Sequence, residues 1–111
     1  MSAIALLTDS HNYYLYAGYT DMRKSIDGLC GIVYNELGKQ VDHKDIFIFL
    51  NRRCTHIKLL LQEADGFTIL YRRLHKGRFM IPTVAEGEKA TQLRATDLLF
   101  ILSRLHLHRA K

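Results

Sequence analysis

Residues 46–74 hold three consecutive β-prone runs joined by links too short for anything but hairpins. Ile46 to Asn51 (IFIFLN) is apolar on both faces. His56 to Gln62 (HIKLLLQ) sets Ile57, Leu59 and Leu61 on one side. Phe67 to Leu74 (FTILYRRL) sets Phe67, Ile69 and Tyr71 on one side and Thr68, Leu70 and Arg72 on the other. Asp65-Gly66 is a strong hairpin-turn pair, and the link from Asn51 to Thr55 is short enough for a second hairpin. Parallel pairing would need a crossover of a dozen or more residues. An antiparallel meander follows.

The meander converts a charge pattern into a spatial one. Residues 1–51 carry four basic and six acidic side chains, and residues 79–111 five basic and three acidic. Residues 52–78 carry seven basic (Arg52, Arg53, Lys58, Arg72, Arg73, Lys76, Arg78) against two acidic (Glu63, Asp65). That net of +5 equals the charge of the whole chain. Because strand direction alternates, the first turn and the end of the third strand share one end of the sheet. His56 and His75 lie near it, and Glu63 and Asp65 occupy the opposite turn. A basic end rich in arginine suits an anionic partner, nucleic acid first.

Upstream, Tyr13 to Ala17 reads as a short strand stopped by Gly18. A helix is expected next, with Thr20 as N-cap and Asp21 in its first turn. Met22, Ile26, Leu29, Cys30, Val33 and Leu37 form its apolar stripe, and Gly38 fits the C′ position. Arg23 and Asp27 have the spacing of a surface pair. Gly28 and Gly31 inside this helix suggest close packing within the fold, or else a partner on that face. Downstream, Glu86 to Gln92 reads as a loop. A final helix is expected from Thr96, with Asp97 in its first turn and Leu98, Leu99, Ile101, Leu102 and Leu105 on its apolar face; Thr91 is an alternative start.

The fold expected is α+β: a short strand, an amphipathic helix, a three-stranded antiparallel meander and a C-terminal helix over one face. At 111 residues and 48% hydrophobic composition the chain suits a single compact domain spanning 1–111. Residues 1–10 and 106–111 are expected to be flexible at its ends. The early apolar run from Ala3 to Leu7 is too short to span a membrane and lacks the flanks of a secretory signal, so a cytoplasmic protein is expected. Cys30 and Cys54 form no CxxC pair and are expected to be buried thiols.

No catalytic constellation stands out. The acidic residues fall largely in turns and helix starts, which argues against a two-metal nuclease centre. His106-Leu107-His108 has the His-apolar-His form of a metal motif used with a tyrosine nucleophile, but it sits in the last six residues. No phosphate-cradling glycine loop and no nucleophile elbow is present.

Two blocks carry a resemblance. The first is Tyr14-Leu15-Tyr16-Ala17-Gly18, Thr20-Asp21-Met22-Arg23-Lys24-Ser25 and Asp27-Gly28-Leu29. The second is Asp45 to Arg53 (DIFIFLNRR), Ile57-Lys58-Leu59-Leu60, Asp65-Gly66-Phe67, Tyr71-Arg72-Arg73-Leu74 and Gly77-Arg78-Phe79. Together, over residues 11 to 82, they resemble the TnpB-like accessory protein encoded by the second open reading frame of bacterial insertion-sequence-66 elements. Tyr19 departs from the pattern where proline is common, and Glu63-Ala64 where tryptophan precedes an acidic residue or glycine. The resemblance implies a non-catalytic accessory role in DNA transposition beside a separate transposase. It implies no cofactor, metal, membrane or small-molecule substrate. The residues matching its pattern are Asp21, Arg23, Lys24, Asp27, Arg52, Arg53, Lys58, Arg72, Arg73 and Arg78. The expected partners are DNA, as element ends or any duplex, and the transposase and other proteins of the element. The alternative is an adaptor that binds the transposase or another accessory subunit without touching DNA.

Overall fold

The computed structural model describes residues 8–103. Seven elements follow in order: β1 (Asn12–Tyr19), α1 (Ile26–Leu37), β2 (Asp45–Leu50), β3 (His56–Glu63), β4 (Gly66–Arg73), β5 (Ala90–Leu93) and α2 (Ala95–Ser103). The five strands form one sheet in the order β4-β3-β2-β1-β5. The expected meander is present, with β2–β3 and β3–β4 antiparallel.

Three features of the sheet go beyond the meander. First, β1 joins β2 in parallel, with α1 as the crossover between them. Second, β1 runs on through Gly18 to Tyr19, its register with β2 shifting between Leu15 and Tyr19. Third, Ala90–Leu93 pairs antiparallel with β1, where the sequence suggested a loop or a helix start at Thr91. Four residues of mixed polarity carry little strand signal; the open edge of β1 supplies the partner that makes them one.

The sheet is covered on both faces. Ile46, Ile48 and Leu50 of β2, with Ile57, Leu59 and Leu61 of β3, face a core completed by Leu98, Ile101 and Leu102 of α2. Phe47, Phe49 and Leu60 face Leu29 and Val33 of α1. This is why β2 reads as apolar on both sides: it is the central strand of a sheet sandwiched between helices. Phe47 is fully buried, and its truncation to alanine would cost about 3–5 kcal/mol.

Both helices begin elsewhere than the sequence suggested. Thr20 does not cap α1. Its amide instead continues the ladder to the Leu50 carbonyl at 2.9 Å, and its side chain is buried. Asp21 is not in a helical turn either. Its carboxylate accepts from the Arg23 amide at 2.9 Å, a local turn that competes with helix. Arg23 is thereby paired with Asp21, not Asp27. Ser25 takes the N-cap position, and Gly38 closes α1 in the left-handed conformation (φ 64°), as expected. At α2 the Asp97 carboxylate accepts from the Arg94 amide at 2.9 Å, so Thr96 is not the cap. Leu99 is 39% exposed and leaves the apolar face. Leu105, the His106–His108 motif and the expected flexible residues 1–7 and 106–111 lie outside the described residues.

The turn between β3 and β4 is Ala64-Asp65, closed by the Glu63–Gly66 pair, with Gly66 already in the strand. Cys30 and Cys54 are free thiols and half-buried rather than buried. No described helix is long and apolar enough to cross a membrane.

Candidate nucleic-acid interface

The basic end is assembled by register. His56 lies opposite Arg73, Ile57 opposite Arg72 and Lys58 opposite Tyr71. The turn holding Arg52 and Arg53 leads directly into His56 and so occupies the same end. Asn51 braces that turn. Its side-chain oxygen accepts the Thr55 and His56 amides, each at 2.9 Å, while Cys54 takes a positive φ of 57°. The Cys54 carbonyl then accepts the Phe79 amide at 2.7 Å, and Phe79 is buried. This bond carries Arg78 to the arginine turn, a link no periodicity announces. Lys76 lies on the segment between Arg73 and Arg78.

The seven basic residues divide into two groups. Arg52, Arg53, Arg73, Lys76 and Arg78 are exposed, whereas Lys58 and Arg72 are half-buried. The Arg52 guanidinium lies 4.7 Å from the centre of the Tyr19 ring, which is itself 59% exposed. No arginine of this end forms an ion pair with a carboxylate among the described residues.

Lys58 and Arg72 serve the fold. Lys58 points to the α1 face, where its ammonium donates to the carbonyls of Met22 and Lys24, both at 2.7 Å. These two bonds pin the segment between β1 and α1. Arg72 points to the opposite face and donates to the Leu102 carbonyl at 2.6 Å. This bond ties β4 to α2.

The four family-pattern residues near α1 lie beside this end. Asp21 and Arg23 form a closed pair on the surface, at 2.7 Å. Hydrogen bonds from the Arg23 side chain and then its amide pull the Asp21 carboxyl down to about 2. Lys24 is exposed and lends its carbonyl to Lys58. Asp27 is exposed in the first turn of α1. Gly28 and Gly31 do not pack against the sheet. A methyl group at Gly31 would meet only the Asn35 side chain, at 3.9 Å, and one at Gly28 would press on Lys24 at 3.2 Å. Gly28 thus makes room for the Lys24 side chain, whereas packing within the fold does not explain Gly31.

The other end of the sheet is the acidic one expected, with Glu63 and Asp65 at the β3–β4 turn and Asp45 at the start of β2. Among the described residues no group of three or more His, Cys, Asp or Glu side chains is placed to hold a metal ion.

The chain matches the family described as IS66 Orf2 like protein over residues 11–111. The match runs past the two sequence blocks and takes in β5 and α2. Two relatives from Sinorhizobium fredii are named uncharacterized protein y4jC and uncharacterized protein y4hO. The first is 28% identical over 67 residues, covering 60% of this chain and 57% of the relative. The second is 27% identical over 90 residues, covering 81% of this chain and 76% of the relative. The shared stretch thus spans little more than half of the first relative's length. No solved structure matches the chain. A match from the start of β1 through both helices takes in the strands that build the basic end as well as the layers that support it, and the chain belongs to the family described as IS66 Orf2 like protein.

Proposed function

We propose that this chain is a non-catalytic transposition factor that docks on DNA phosphates through the basic end of its sheet. One observation carries this reading: Arg52, Arg53, Arg73 and Arg78 converge on that end, exposed and without a carboxylate partner among the described residues. An arginine fork matches two phosphate oxygens at once, and unpaired guanidinium groups gathered on one surface attract a polyanion. Such contacts give affinity and register but little base discrimination.

Fluorescence anisotropy across a salt series tests this, with the terminal repeat of the element and a scrambled duplex as probes. Binding to both, falling steeply with salt, is expected. Replacing Arg52, Arg53, Arg73 and Arg78 by alanine should weaken both alike. The proposal is wrong if the parent binds neither duplex at low salt, or if the variant keeps the parent's salt slope.

The adaptor reading is favoured by the outer face of α1, where Gly28 and Gly31 line a shallow groove with Lys24, Ile32, Asn35 and Glu36. Retention of purified transposase from nuclease-treated extract, lost on Gly31→Leu, would support it.

A further inference from the structure

The two edges of the sheet are not alike. β5 is four residues long, and so short an edge offers little to pair with. β4 is eight residues long, pairs with β3 without a bulge and contains neither proline nor lysine. Among the described residues nothing pairs with its outer side. Its length, regular ladder and lack of proline leave it open, with charge confined to Arg72 and Arg73 at its C-terminal end.

Which backbone groups face outward follows from the ladder. The Leu74 amide donates to the Thr55 carbonyl at 3.0 Å, one step beyond the His56–Arg73 pair. In an antiparallel ladder alternate pairs exchange hydrogen bonds. The even-numbered residues of β4 therefore bond to β3. Phe67, Ile69, Tyr71 and Arg73 turn their amides and carbonyls outward. The hairpin agrees, since its two-residue turn closes on the bonded Glu63–Gly66 pair.

We propose that β4 pairs antiparallel with β4 of a second copy of this chain, about a two-fold axis at Leu70, making one continuous sheet. This is the register in which all four outward-facing residues find partners within the strand. Phe67 then lies opposite Arg73 of the second copy and Ile69 opposite its Tyr71, each pair exchanging two hydrogen bonds. Leu70 meets Leu70, and Thr68 meets Arg72.

The side chains fit that register. The centre is apolar, and each end sets a cation against an aromatic ring, Arg73 against Phe67. Phe67 and Tyr71 are 40% and 54% exposed, which pairing would reduce. Charge selects the antiparallel sense. The hydroxyl of Thr68 donates to the Glu63 carboxylate, so an acidic group sits beside the register position of the second copy's Arg72, whose charge stays on that face while it holds its own Leu102. The basic end of each copy meets the acidic turn of the other, whereas parallel pairing would set the two basic ends together. Arg73 belongs to both this seam and the proposed DNA surface, so the pairing is tested without DNA.

Sedimentation equilibrium of the full chain, over roughly 1–200 µM, is the experiment. A concentration-dependent dimer is expected. Phe67→Arg places a guanidinium opposite Arg73 twice per dimer and should raise the dissociation constant about tenfold or more. Adding Arg73→Glu should bring it back to within about threefold of the parent. Ile69→Pro removes an outward amide that β3 does not use, and should leave a monomer with the parent's circular dichroism. A chain that stays monomeric throughout overturns the proposal. So does a dimer indifferent to Phe67→Arg and Ile69→Pro, or one that Arg73→Glu does not rescue.

Discussion

At the basic end of the sheet the Lys58 ammonium is held by two backbone carbonyls at 2.7 Å, whereas Arg53 extends from its turn with no carboxylate to meet it among the described residues. Arg72 and Arg73 repeat the contrast on adjacent residues. Arg72 reaches the Leu102 carbonyl of α2 at 2.6 Å, and its neighbour projects from the opposite face of the strand, exposed. The same segment thus supplies cations that hold the fold and cations that remain available to a ligand. The pleat divides Arg72 from Arg73, since successive strand residues point to opposite faces. Loss of the second kind should leave the fold as stable as before, whereas loss of the first should weaken it.

The largest effect should come from the outward group. With Arg52, Arg53, Arg73 and Arg78 replaced by alanine, the dependence of log affinity on log salt should flatten by roughly 3 to 4, near 0.9 for each phosphate that is no longer neutralised. The unfolding midpoint in urea should barely move, because substitutions at exposed sites usually stay within about 0.5 kcal/mol each. The inward group should show the reverse. Lys58→Met keeps the apolar stem and removes the ammonium, leaving the Met22 and Lys24 carbonyls without it. We expect a stability loss of about 2–4 kcal/mol in urea unfolding, with DNA affinity of the folded fraction near the parent's. If Lys58→Met is as stable as the parent, the division between the two groups fails.

Two smaller effects refine the comparison. The Thr20 hydroxyl is buried without a hydrogen-bond partner among the described residues. Thr20→Val keeps the shape and removes the orphan group, and should raise stability by up to about 1 kcal/mol in the same assay. Asp21 tests the segment that Lys58 pins. Its carboxyl is lowered from 3.8 to about 2 in the folded chain, chiefly by hydrogen bonds from Arg23. A folded-state value below the unfolded one stabilises above the unfolded pKa and fades as pH falls through the folded one. Against Asp21→Asn, the parent's advantage should hold above about pH 5, shrink from about pH 4 and vanish below about pH 2. An advantage that persists below pH 2 would mean that the Asp21–Arg23 pair is not its source.

Local chemistry was legible in the residues alone. Alternation of Ile57, Leu59 and Leu61, and of Phe67, Ile69 and Tyr71, defined strands with assigned faces, because side chains alternate about a pleat whatever surrounds it. Short links made those strands antiparallel, and antiparallel order gathered Arg52, Arg53 and Arg73 at one end. Gly38 ended α1 because a left-handed residue was needed there. Long-range competition settled what remained. Thr20 has the side chain of a helix cap, yet the Leu50 carbonyl claimed its amide for the sheet and delayed α1 to Ile26. Residues 90–93 became a strand only because β1 left an edge open to them. Arg78 reached the arginine turn through one backbone bond between Phe79 and Cys54. Lys58 and Arg72 could be counted as cations from the sequence. Their commitment to the fold depended on which carbonyls α1 and α2 brought within reach, and such partners, 30 or more positions away, exist only once the layers have packed.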